Sequence, residues 1–256
     1  MNLKKSITKR ITRIADKLDK LFAPAPMRTY SHIISCGCNC EVAFQFLSYH
    51  GFLESHLFNW CYIYSTNDLV KAIRDLDSVG KDFSPLPPMW QDTGHMISFH
   101  GRGKAEIWAP EADPTLLQED KAELISRLAH LKSKFKSLTH STESLLFVYK
   151  PHLAELNDPE TLRIKTVELR DALSGIGMKQ FDILLVVTHD TLPAIQAQFT
   201  DLSSVPGIII ESISCHAPIR SVTTGPFDKK GWRRIWAKYA TTYRPTSKKK
   251  KYKFNH

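Results

Sequence analysis

The feature that most limits what this chain can become is an alternation of short β-rich runs with longer stretches of helical spacing. The runs are His32 to Cys36, His95 to His100, Ser144 to Tyr149, Phe181 to Thr188 and Gly207 to Ser212. Helical patterns lie around residues 40–50, 66–76, 115–138, 159–174 and 191–200. Leu116, Leu117, Ala122, Leu124, Ile125, Leu128, Leu131 and Phe135 mark the third of these. In Leu145-Leu146-Phe147-Val148 and Ile183-Leu184-Leu185-Val186-Val187 no polar residue alternates with the apolar ones. Such strands are covered on both faces, as parallel strands between helical layers are. The expected fold is α/β, a three-layer arrangement with a mostly parallel sheet and helices on both faces. No internal repeat is present.

The 256 residues are 42% hydrophobic and 24% charged, which excludes a disordered or collagen-like chain. No run of about 18 uncharged apolar residues suggests a membrane span. Five cysteines cannot all pair, and Cys36, Cys38 and Cys40 stand together, so a reducing, cytoplasmic setting is expected. The net charge of +9 is unevenly held. Residues 1–20 carry seven Lys/Arg against Asp16 and Asp19, and residues 229–256 carry eleven and no acid. Residues 21–228 are acidic, with 17 basic and 24 acidic side chains. The expected organisation is a basic amphipathic helix with a Pro linker over 1–26, one α/β domain over 27–228, and a basic aromatic segment over 229–256.

In the first segment Leu3, Ile7, Ile11, Ile14, Leu18 and Leu21 share one helical face. In the last, Trp232, Ile235, Trp236 and Tyr239 do the same, before Lys248, Lys249, Lys250 and Lys251. With Lys4, Lys5, Lys9, Arg10 and Arg13 these suit an anionic membrane surface, which would make the protein peripheral on the inner face of a membrane. Docking on the domain, or a solvated tail, accounts for the same residues. Sequence-specific nucleic-acid binding is disfavoured, because the body lacks a Gly/aromatic RNA-binding strand motif.

Open parallel sheets bind ligands outside the carboxyl ends of their strands. That rule selects Ser35 to Cys40, His100 to Gly103, Lys150 to His152, His189-Asp190 and Ser214 to His216. Gly37 permits a tight turn, and Cys40 then falls at the first turn of the next helix, where positive backbone charge favours a thiolate. Cys40 is the preferred nucleophile. The competing assignment for it is a small buried side chain at a strand-helix junction. His100 precedes a Gly101-Arg102-Gly103 turn able to face an anion, and Lys150, His152 and His189 are candidate site cations, with helix-entry or solvent-facing roles the competing assignment for Lys150 and His152. Metal ligation by the cysteines is disfavoured, since no second paired motif completes a zinc site. No cofactor is implied.

Ile34-Ser35-Cys36-Gly37-Cys38-Asn39-Cys40, with Ala43, Gly51-Phe52-Leu53-Glu54-Ser55 and Phe58-Asn59-Trp60, resembles a family of bacterial proteins described as papain-like cysteine peptidases, a domain of unknown function. The resemblance covers roughly residues 30–190, with a specific early motif and a loose later part. It implies a Cys/His hydrolase with Cys40 as nucleophile, His100 as base and Asn59 where the family usually has Asp. An amide orients an imidazole but supports an imidazolium less well than a carboxylate. The strand-helix alternation suits a doubly wound sheet better than a papain-like helix and barrel.

The leading expectation is a cysteine-dependent hydrolase or acyl-transfer enzyme. Ser35, Gly37, Asn39, Arg102, Lys150 and His189 would bind an unidentified substrate, and amides after Gly37 or at the helix start would hold the oxyanion. One alternative is a membrane-surface glycan-modifying transferase with a phosphorylated or nucleotide-sugar donor held by Arg102, Lys150 and His189. The other is a non-enzymatic adaptor for lipid or polymer.

Overall fold

The computed structural model describes residues 25–101, 105–109, 112–199, 206–216 and 228–244. The expected helix over the first 22 residues, Arg102, and the Lys248 to Lys251 cluster lie outside them. The elements are β1 Arg28–Tyr30, β2 His32–Ser35, α1 Glu41–His50, β3 Cys61–Ile63, α2 Thr66–Arg74, β4 Phe83–Leu86, β5 Met89–Asp92 and β6 Ile97–His100. They continue with α3 Pro114–Ser137, β7 Leu145–Tyr149, α4 Pro159–Gly175, β8 Phe181–Thr188, α5 Leu192–Phe199, β9 Ile208–Ile213, α6 Lys229–Lys238 and β10 Tyr239–Thr241.

The central sheet has the order β2-β7-β8-β9 and every pairing in it is parallel. Its strands alternate between two apolar layers, as the period of two along a strand requires. Leu146, Val148, Leu184 and Val186 meet Val42 and Phe46 of α1 and Trp232, Ile235 and Trp236 of α6. Leu145, Phe147, Ile183, Leu185 and Val187 meet Leu162, Leu169 and Leu173 of α4 and Ile195 of α5. The three-layer α/β expectation holds. Uninterrupted apolar runs at β7 and β8 follow from this two-sided burial.

Two expectations change. His95 to His100 does yield a strand, but β6 belongs to a second, antiparallel sheet of order β3-β6-β5-β4. This sheet is inserted between β2 and β7 and joins the first through a bond from Ile63 N–H to the Cys38 carbonyl, 2.9 Å. The boundary drawn at 228 also gives way over residues 229–241. Trp232, Ile235, Trp236 and Tyr239 are 0–3% exposed, and β10 pairs in parallel with β1. The aromatic face of α6 is core, so the apolar surface that suggested lipid is already covered by the sheet. Asp228 caps this helix, accepting from Gly231 N–H and Ser214 N–H at 2.7 Å each.

Candidate functional site at the carboxyl edge of the parallel sheet

The first loop at this edge is shaped by continued pairing. After β2, Cys36 N–H donates to the Val148 carbonyl at 2.9 Å and Cys38 N–H to the Lys150 carbonyl at 2.8 Å. A Cβ on Gly37 would stand 3.0 Å from Val42 Cγ2 and 3.3 Å from Lys150 Cβ, so the loop lies tight against the next strand end. Cys40 is the N-cap residue of α1, as its spacing predicts.

This packing carries a charge pair into the interior. Lys150 Nζ lies 2.9 Å from Glu41 Oε2, with side chains 1% and 0% exposed. Trp232 Nε1–H donates to Glu41 Oε1 at 2.8 Å, which ties α6 to α1. Glu41 N–H donates to Asn39 Oδ1 at 3.1 Å, so Asn39 closes the turn. A buried pair of this kind is held by good geometry and satisfied lone pairs rather than by large net stabilisation.

A narrow, shallow cleft lies beside the pair, lined among others by Cys36, Cys38, Thr66, Tyr149, Lys150, His152 and Glu155. Its far wall is a hydrogen-bonded set. Thr66 Oγ1 donates to Glu155 Oε1 at 2.7 Å and is bonded to the Tyr149 hydroxyl, while His152 N–H donates to Glu155 Oε2 at 3.0 Å. His152 Nδ1 accepts from Ala154 N–H at 3.3 Å, so the neutral ring carries its proton on Nε2. Burial raises the Cys38 thiol while the Lys150 ammonium pulls against it.

The geometry revises the expected catalytic set. Cys40 is 6% exposed and its Sγ faces the Cys61 carbonyl at 3.8 Å. Burial pushes that thiol up to about 12, against the lowering expected from the helix start. The partial charge of a helix terminus, worth ~1 kcal/mol, is smaller than the cost of desolvating a thiolate. His100 ends β6 in the other sheet and makes no hydrogen bond to Cys40, so the expected Cys40/His100 dyad is not assembled. Its amide donates to the Trp60 carbonyl at 3.4 Å. Asn59 Nδ2 donates to the Glu54 carbonyl at 2.9 Å, bracing the 51–60 loop instead of orienting an imidazole. The amides of Cys38 and Glu41, expected to hold an oxyanion, are already engaged.

Of the expected binding residues, Ser35, Gly37, Asn39 and Lys150 do converge here, and the Ser35 hydroxyl is buried without a hydrogen-bond partner. His189 stands at the end of β8 with Nδ1 2.9 Å from Ser212 Oγ. His216, after β9, is buried, and burial with the nearby Lys150 charge pushes it down to about 3. The sequence reading selected His152 at the end of β7 but missed Glu41, Glu155 and Cys38 as a thiol on the cleft wall. The signal for Cys38 was its place in the Gly37 turn. For Glu41 no local signal exists, because an acid in the first turn of a helix ordinarily faces solvent. Comparison with protein-family models, with curated proteins and with solved structures gives no match.

Proposed function

We propose that the chain is a thiol-dependent acyl-transfer or hydrolytic enzyme whose nucleophile is Cys38. The observation that carries this reading is the placement of Cys38 on the wall of the cleft beside Lys150. Burial raises all four buried thiols, but Lys150 both hydrogen-bonds Cys38 and acts on it through charge, whereas it reaches Cys40 through charge only. Cys36 shares the cleft wall and Cys61 lies near it, with no cation acting on either. The resemblance of residues 34–60 to papain-like cysteine peptidases supports the same chemistry two residues earlier than that motif suggests.

The thiol proton leaves to solvent in the cleft, and the thiolate is held by Lys150, whose charge is shared with Glu41. Sulphur attacks a substrate acyl carbon, and His152 Nε2–H is the donor available to the developing oxyanion. The leaving alcohol or amine takes a proton from water as the thioester forms. Attack by water, or by a second acceptor, then releases the acyl group and returns the thiol. In the transferase alternative the same Lys150 charge, already shared with Glu41, would have to hold a phosphate. Attachment of the basic ends to an anionic membrane surface stays part of the reading. It is supported by 18 Lys/Arg against two acids in residues 1–20 and 229–256, and tested by vesicle co-sedimentation at rising salt.

The test is alkylation and acylation of the native chain in a Cys215→Ser background, which removes the half-buried thiol. Peptide mapping with iodoacetamide should find Cys38 modified about tenfold faster than Cys40, and an activated ester should acylate the same residue. Lys150→Met should abolish the difference. Modification of Cys40 first, or an inert Cys38, overturns the assignment.

A further inference from the structure

The opposite edge of the parallel sheet holds a second polar cluster that the thiol chemistry does not use. His32, Glu54 and His56 are brought together by the first residue of β2 and the loop that follows α1. Among the described residues they form the one group of three potential ligands whose donor atoms all lie within 4.8 Å of one another. His32 Nδ1 is 2.7 Å from Glu54 Oε2, and His56 Nε2 is 3.2 Å from the same oxygen.

Three features separate this cluster from an ordinary hydrogen-bonded histidine. The His56 side chain is 0% exposed, its Nδ1 has no hydrogen-bond partner, and its Nε2 has only the Glu54 oxygen 3.2 Å away, out of good hydrogen-bond alignment. Nε2 nevertheless points at the oxygen that His32 shares. A buried imidazole so poorly satisfied costs free energy unless something else completes it. The second feature is the arrangement behind the ligands. His32 Nε2 lies 3.0 Å from Glu143 Oε2, and the other oxygen of Glu54 lies 2.8 Å from Lys134 Nζ. A carboxylate behind a ligating imidazole fixes its tautomer and raises its basicity. The third is size. Ligand bonds of ~2.0–2.2 Å in a tetrahedral site set donor atoms roughly 3.3–3.5 Å apart. The observed 2.7 and 3.2 Å need only a slight opening.

We propose that His32 Nδ1, Glu54 Oε2 and His56 Nε2 bind one divalent ion of the Zn²⁺ class. Two imidazoles and one carboxylate favour Zn²⁺, Co²⁺ or Ni²⁺ over the oxygen-seeking Mg²⁺ and Ca²⁺. The fourth position is left to water, reached past the His32 side chain, which is 15% exposed. The ion clips the start of β2 to the 51–60 loop, and through Lys134, which also donates to the Ser55 carbonyl at 2.9 Å, to α3. It stands at the amino end of β2, with Cys38 beyond the carboxyl end, so it is independent of the acyl chemistry. Its role is to fix the loop whose later residues lead into the second sheet.

The test uses the full, tag-free chain stripped with a chelator and titrated with Co²⁺. One equivalent should bind with weak visible bands and no thiolate-to-cobalt charge-transfer absorption, which distinguishes this site from the five cysteines. Zn²⁺ should displace the cobalt and raise Tm saturably. His56→Ala should weaken binding by more than 100-fold, and Glu143→Gln by about 10-fold through its effect on His32. Glu143 is half exposed, so that variant keeps the fold even where His56→Ala does not. Thiolate charge-transfer bands, unchanged affinity in Glu143→Gln, or no stoichiometric binding would each overturn the proposal. Acyl-transfer activity is a separate readout and does not bear on it.

Discussion

The two edges of the parallel sheet bury similar amounts of charge and organise it in opposite ways. At the carboxyl edge Lys150 meets Glu41 one to one, with Trp232 on the remaining oxygen. At the amino edge the single carboxylate of Glu54 is shared by His32, His56 and Lys134. A matched pair leaves little for a ligand to compensate and serves to position its neighbours. An over-subscribed carboxylate beside a buried, poorly aligned imidazole leaves valence to fill. The difference assigns the first edge to orienting a thiol and the second to holding an ion.

The largest expected effect tests whether the carboxyl-edge pair is matched. Lys150→Met alone leaves Glu41 buried and uncompensated, and should cost about 3–5 kcal/mol in urea unfolding. Glu41→Gln alone strands the ammonium and should cost a similar amount, although the amide oxygen still accepts from Trp232. The double variant Lys150→Met/Glu41→Gln should recover most of the loss, within about 1–2 kcal/mol of the parent. Additive losses would show that the residues act separately.

His216 gives the next largest effect, and its sign follows from where its proton goes. Its folded pKa is about 3, against ~6.5 in the unfolded chain. Between these values the unfolded chain takes up a proton that the folded chain refuses, so stability is full above 6.5 and falls as pH drops. From pH 6.5 to 5 the loss should be about 2 kcal/mol, read by urea titration at each pH. His216→Leu should flatten that part of the profile. An unchanged slope would mean that the imidazole reaches solvent or a carboxylate, and the carboxyl edge would then be as open as the amino edge.

A smaller effect probes the amino edge. Asn59→Asp removes the donor that braces the Glu54 carbonyl and places a carboxylate where an amide is buried. It should cost about 1–3 kcal/mol and loosen cobalt binding, leaving Cys38 modification unchanged. A change at Cys38 with intact metal affinity would reverse the assignment of this residue.

How much of this was legible in the chain depends on the distance over which each feature is determined. β7 and β8 announce themselves because both faces are buried and every residue must be apolar. β4 and β5 do not, since Phe83-Ser84-Pro85-Leu86 is short, mostly exposed and broken by a proline. The periodicity of Trp232, Ile235 and Trp236 was visible, yet whether a sheet or a lipid covers that face is a tertiary fact. Lys150 and Gly37 were found by the strand-end rule. Glu41 and Glu54 were not, because their importance lies in partners distant in sequence, Lys150 and Trp232 for one, His32 and Lys134 for the other.

The smallest effect concerns Cys40 and decides between two thiols that exposure does not distinguish, 6% for Cys40 and 8% for Cys38. What separates them is the surroundings, a backbone carbonyl for Cys40, and for Cys38 the cleft wall and a hydrogen bond to the Lys150 ammonium, which reaches Cys40 through charge only. A thiol with a pKa of about 12 has roughly one part in 10⁵ as thiolate at pH 7. Its alkylation in the native chain should therefore rise about tenfold per pH unit across the neutral range. Cys40→Ala removes one buried sulphur and should cost about 1 kcal/mol while sparing acylation by an activated ester. Cys38→Ala should abolish that acylation at comparable stability. Loss of acylation in Cys40→Ala, with its fold intact by circular dichroism, would return the nucleophile to the helix start and make the matched pair a lid over it.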